Sequence, residues 1–101
     1  MKVGADKLTK AEIIEQIYPK VRVSKKNIHT ILDLFFGEVK NGLLEDRIIE
    51  LRGFGTFEIK TRKGRKARNP KTGDTVQVEN HGVAVFRPGR ELKQKAWSLR
   101  K

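Results

Sequence analysis

The chain predicts an α+β fold with the order helix, helix, a hairpin with a very long basic tip, return strand, last helix. It also predicts that two copies assemble around a two-fold axis. Three observations carry this. After Ser24, the apolar residues Ile28, Ile31, Leu32, Phe35, Phe36, Val39 and Leu43 recur at helical spacing and cover an arc of about 140°. From Phe57 the pattern changes to alternation, with Phe57, Ile59 and Thr61 set against Glu58, Lys60 and Arg62. Between this strand and its return partner lies a stretch too poor in apolar residues to pack on itself: from Lys60 to Gly82 only Ala67, Val76 and Val78 are apolar.

The elements follow in order. Residues 1–7 read as a disordered or flexible extension, and residues 8–101 as one domain with its arm at about 60–82. Thr9-Lys10-Ala11-Glu12 has capping-box spacing, with Glu12 placed to reach back to the cap. Ile13, Ile14 and Ile17 then form a short apolar face, and Pro19 ends the helix. Ser24 is a second cap, and the long amphipathic helix follows it. Ile48 to Leu51 leads into Gly53-Phe54-Gly55-Thr56-Phe57, and Val83 to Arg87 is the return strand. Pro88-Gly89 breaks it, and Arg90 to Leu99 is a last helix with Leu92, Ala96 and Leu99 inward and Trp97 packed on the body. Three helices and a small sheet cannot enclose this much apolar surface, so an obligate dimer is expected, its second subunit identical or a homologue.

Composition narrows the partner. The 101 residues hold 23 Lys or Arg against 12 Asp or Glu, a net charge of +11, and no cysteine. Disulfides and thiolate metal sites are excluded. No apolar run approaches the roughly 18 residues of a membrane span, and the N-terminus lacks the apolar centre of a secretory signal. A soluble intracellular protein is expected. The charge is uneven, +2 over residues 1–57 and +9 over residues 58–101. Between Ile59 and Gly73 there is no acid, against Lys60, Arg62, Lys63, Arg65, Lys66, Arg68 and Lys71. A polyanion is the expected partner, with nucleic acid ahead of acidic lipid or acidic protein. An RNA binder would more often expose aromatics on a sheet, whereas this arm has none. A nuclease would need carboxylates or histidine at the basic surface. No enzyme, small-molecule substrate, cofactor or metal is expected.

At Gly53-Phe54-Gly55-Thr56-Phe57, Arg68-Asn69-Pro70-Lys71-Thr72-Gly73 and Phe86-Arg87-Pro88-Gly89 the chain resembles the bacterial HU and integration host factor family of histone-like DNA-bending proteins, over about Leu8 to Leu99. The resemblance implies an intertwined dimer with a helical base, a β-saddle and two β-ribbon arms that enter the minor groove of double-stranded DNA and bend it, in the bacterial nucleoid of the cytoplasm. It implies Pro70 as the intercalating wedge and Arg68 and Asn69 beside it in the groove. Phosphate contacts are implied for Lys71 and the arm cations Lys60, Arg62, Lys63, Arg65 and Lys66, and on the body for Lys10, Gly53, Arg87, Arg90 and Lys93. A proline ring is apolar, stiff and thin, and it brings no N–H to bury between bases.

Several residues also have plainer readings. Asn69 to Gly73 is a hairpin turn whether or not DNA is present, and the wedge would be that turn. Phe35, Phe36, Phe54, Phe57 and Phe86 read as core or dimer residues rather than base-stacking aromatics. Gly53 and Gly55 are expected to allow close backbone approach, with N–H groups that could reach a phosphate. His29 and His81 have no partner at metal spacing. Ala67 stands where the family usually has glycine before the tip, and the arm is unusually rich in cations. The expected binder has low sequence specificity. One feature points to the alternative, a sequence-preferring bender of the integration host factor kind. Glu50 and Arg52, two apart on an expected strand, resemble a pair in which the acid orients the arginine, here Arg52, for a minor-groove base contact. The plainer reading of that pair is a salt bridge on one face of the saddle.

Overall fold

The computed structural model describes residues 6–100, so residues 1–5 of the expected flexible extension lie outside the described residues. The chain divides into two compact units, the first ending at Glu38 and the second beginning at Val39. The second helix starts in one and finishes in the other.

In the first unit, α1 (Lys10–Ile17) starts where the cap predicts. Thr9 Oγ1 accepts the Glu12 N–H at 3.3 Å. The Glu12 carboxylate takes the Thr9 hydroxyl at 3.3 Å rather than the backbone N–H that the capping box implies. The α-helix stops before Pro19, as expected, but the chain tightens into a 3₁₀ turn, Tyr18–Lys20, with Pro19 in its first turn, where its missing N–H costs no hydrogen bond. Ser24 caps α2 (Lys25–Leu44), its Oγ accepting the Asn27 N–H at 3.1 Å. Ile14 and Ile28 are buried, while Ile31, Leu34, Phe35 and Phe36 are exposed.

In the second unit, α2 ends in a Schellman motif. Arg47 N–H donates to the Gly42 carbonyl and Asp46 N–H to the Leu43 carbonyl, both at 2.9 Å, with Asp46 in the left-handed region at φ 60°. The strands β1 (Ile49–Leu51), β2 (Gly55–Arg62) and β5 (His81–Pro88) form one antiparallel sheet in the order β1-β2-β5. Beyond it, β3 (Arg65–Arg68) and β4 (Thr75–Val78) form a second, two-stranded sheet. The expected arm is therefore a two-stranded ribbon for much of its length, and the return strand is longer than Val83 to Arg87. Register separates the two faces of the larger sheet, with the charged residues on one of them. Phe57 faces Phe86 and Ile59 faces Ala84 on one side; Thr56 faces Arg87, Glu58 faces Val85 and Lys60 faces Val83 on the other. Phe54, Phe57 and Phe86 cluster with ring centroids 4.8–6.4 Å apart. The three rings contact one another, and Phe54 and Phe86 keep much of their surface exposed.

Three expectations fail here. Arg52 is not on a strand with Glu50: it lies in a turn closed by Phe54 N–H on the Leu51 carbonyl at 2.9 Å, with Gly53 at φ +84°. That is the signature of a type II turn, which needs a positive φ at its third residue. For the same reason Gly53 serves conformation rather than close approach, since a Cβ there would meet nothing within 4 Å. Gly55 does serve close approach, because a Cβ would lie 2.5 Å from the Phe86 ring and 2.6 Å from the Arg87 carbonyl. Finally, α3 (Arg90–Leu99) carries Trp97 at 72% and Leu99 at 80% exposure, neither packed inward.

Candidate nucleic-acid interface

The site starts from the register of β2 and β5. Alternation brings Thr56, Glu58, Lys60 and Arg62 to the same side as Arg87, Val85, Val83 and His81. This polar face leads directly into the arm, where two faces again separate. Arg65 and Ala67 pair with Val78 and Val76, and Lys66 and Arg68 pair with Gln77 and Thr75. The arm cations therefore divide between both sides of the ribbon instead of lining one stripe. Ala67, the residue at the family's glycine position, is half-buried in regular strand pairing with Val76.

Between the two sheets the ladder breaks at 63–64 and 79–80. Gly64 N–H donates to Asn80 Oδ1 at 2.6 Å, bridging the strands where backbone pairing has lapsed. A Cβ on Gly64 would collide with the backbone of Val78, Glu79 and Asn80, so this close approach requires glycine. Beside the break, His81 Nδ1 lies 2.8 Å from the Glu79 carbonyl. Nothing in the sequence marked Asn80 for this work, since a polar residue in a polar run has no periodicity to betray it.

The tip is built around Asn69. Its N–H donates to the Asp74 carbonyl at 2.8 Å, its carbonyl accepts from Gly73 N–H at 2.7 Å, and its Oδ1 accepts from Lys71 N–H at 2.9 Å. Thr72 Oγ1 accepts the Asp74 N–H at 3.2 Å, and Gly73 holds φ +76°. A closed loop results, with Pro70 exposed inside it and its φ set by its own ring. Asn69 thus fixes the tip through three hydrogen bonds, and Lys71, beside Pro70, is exposed.

The remaining site residues are dispersed. Arg52 and Gly53 occupy the turn after β1, Lys63 the break, and Arg90 and Lys93 the exposed surface of α3 beside Trp97. Lys10 is already engaged: its Nζ donates to Asp33 Oδ1 at 2.6 Å, and His29 Nδ1 lies 3.0 Å from Asp33 Oδ2. The Lys10 hydrogen bond, with smaller contributions from the charges on His29 and Lys10, holds the Asp33 carboxyl below the usual aspartate range. Arg87 pairs with Glu58. Among the described residues no group of three or more His, Asp or Glu side chains could hold a metal ion, and no helix is long and apolar enough to cross a membrane.

A sheet with one apolar and one polar face, extended by a cationic ribbon with a closed proline tip, defines a β-ribbon-armed DNA-binding protein. Comparison with known proteins agrees. The bacterial DNA-binding protein family model matches residues 8–96. Integration host factor subunit alpha of Buchnera aphidicola (subsp. Cinara cedri) is 39% identical over 93 residues, covering 92% of this chain and 89% of its own. The subunit of the same name from Marinobacter nauticus is 38% identical, covering 87% and 88%. Among solved structures, HU from Anabaena in a cocrystal with DNA superposes with a TM-score of 0.83 at 27% identity, covering 90% of this chain and 99% of that one. A mutant HU from Thermotoga maritima gives 0.64 at 26% identity, with coverages of 88% and 99%. The chain belongs to the HU and integration host factor family of bacterial DNA-binding proteins, which are architectural and not enzymatic.

Proposed function

We propose that two copies of this chain form a two-fold dimer that lays its arms in the minor groove of double-stranded DNA and bends it, with Pro70 at each tip wedged between base pairs. The process served would be nucleoid organisation in the bacterial cytoplasm, with little sequence preference. The observation that carries this reading is the arm, an acid-free run from Lys60 to Thr72 ending in an Asn69-organised loop that holds Pro70 exposed. A wedge must be presented without flexibility, and the three hydrogen bonds of Asn69 supply that. Arg68 and Asn69 would flank the wedge in a groove of high negative potential. Lys60, Arg62, Lys63, Arg65, Lys66 and Lys71 would meet phosphates along the arm. Lys10, Gly53, Arg87, Arg90 and Lys93 would receive the flanking duplex, and Arg52 would contact the minor groove.

A second reading, a bender with sequence preference, is favoured by the relatives named integration host factor subunit alpha. The word subunit in those names also supports a homologue as the second chain. The test is energy transfer between the labelled ends of a duplex of three to four helical turns. Wild-type protein should bring the ends together on an arbitrary sequence, and Pro70→Ala should lose bending more than binding. Equal end-to-end distances for the two proteins would sink the wedge. Bending confined to particular sequences would favour the second reading.

A further inference from the structure

The polar face that carries Lys60, Arg62 and Arg87 also carries an acid, which a surface turned toward a polyanion should avoid. Glu58 lies mid-strand on β2 with its side chain only 17% exposed, against 61% for Arg87. Its Oε2 is closed off from solvent and lies 2.5 Å from Arg87 Nε. The contact is an ion pair rather than an aligned hydrogen bond. The two side chains are diagonal neighbours, since Glu58 stands opposite Val85 and Arg87 opposite Thr56. The contact is made through Nε, and the guanidinium carries four further N–H donors on its two terminal amino groups.

A guanidinium anchored at Nε has lost the freedom that a lone surface arginine must give up on binding, and its planar fork then points one way. Resting on the reading of this face as the DNA surface, we propose that Glu58 is a positioning residue. It holds Arg87 so that the terminal amino groups meet a backbone phosphate of the bound duplex. Simple charge counting predicts the opposite sign. Glu58 repels DNA at long range, so neutralising it should strengthen binding. The direction of the effect therefore decides between positioning and bulk electrostatics.

The experiment measures affinity for one duplex at fixed salt for wild type, Glu58→Gln, Arg87→Gln and the double variant, with circular dichroism on each. Glu58→Gln should weaken binding roughly twofold to fivefold despite the gained positive charge, and should change nothing further once Arg87 is Gln. Unchanged or tighter binding by Glu58→Gln overturns the proposal. So does an equal loss in the Arg87→Gln background, because Glu58 would then act through the fold. If Glu58→Gln does not fold, Glu58→Asp carries the test with net charge unaltered: weaker binding is expected, and wild-type affinity overturns the role. A wild type that fails to bind the duplex rejects the DNA reading of the face itself, a failure distinct from that of Glu58.

Discussion

Asp46 is the one non-glycine residue with a left-handed φ among those described, and it sits at the C′ position of the α2 Schellman motif, where glycine is the residue without a Cβ penalty. Asp46→Gly should therefore stabilise the protein by about 0.5–1 kcal/mol, read as a higher urea midpoint at fixed protein concentration. No shift, or a lower midpoint, would mean that the aspartate side chain compensates for its backbone. Asp33 makes a second residue-scale prediction. Its carboxyl is held below the ordinary range by Lys10, so its folded pKa is depressed. The stabilisation is fully present above the unfolded value, about pH 4, and is lost as pH falls through the folded value. Lys10→Met should raise the Asp33 titration midpoint, followed by NMR of the carboxyl carbon, and flatten the acid limb of the stability curve. An unmoved midpoint would show that the pair does not persist in solution.

At the scale of elements, the arm separates what charge pattern reveals from what hydrogen bonding decides. Its acid-free run was visible in the order of residues, as were the turn chemistry of Asn69-Pro70-Lys71-Thr72-Gly73 and the two flanking strands. The division into two sheets was not, because it depends on Gly64 and Asn80 meeting across 16 residues of chain. Arg52 was misplaced for a related reason: strand alternation cannot foresee that β1 stops at Leu51 and the chain turns at Gly53. Under the proposed function, the cations on both faces of the ribbon would meet backbone phosphates. With about 6–10 phosphates neutralised, affinity should fall by ~10³–10⁵ between roughly 50 and 200 mM salt. A nearly flat logarithmic salt plot, measured by fluorescence anisotropy, would contradict engagement of the arms.

For the whole molecule, the decisive quantity is how little one chain buries. Ile14 and Ile28 are its only buried large apolar residues among those described, while Leu34 is 65% exposed and Leu44 78%. So sparse a core fits the proposed dimer, in which association would supply the missing burial. The melting temperature should therefore rise with protein concentration, and Leu34→Glu should lower it and abolish that dependence. A melting temperature independent of concentration in the micromolar range would remove the case for an obligate assembly. The unexpectedly bare Trp97 and Leu99 belong to the same question, since the last helix was expected to close on its own chain.

The order of residues determined by itself the helix caps at Thr9 and Ser24, the strand alternation, the basic arm and the turn at its tip. Each of these depends on neighbours a few positions apart or on local charge density. Only the tertiary structure decided that Asn80 bridges the ribbon at Gly64, that Lys10 and Glu58 are held in ion pairs, and that Trp97 is left uncovered. Those outcomes depend on backbone approaches and side-chain distances between residues remote in sequence, which local periodicity does not encode.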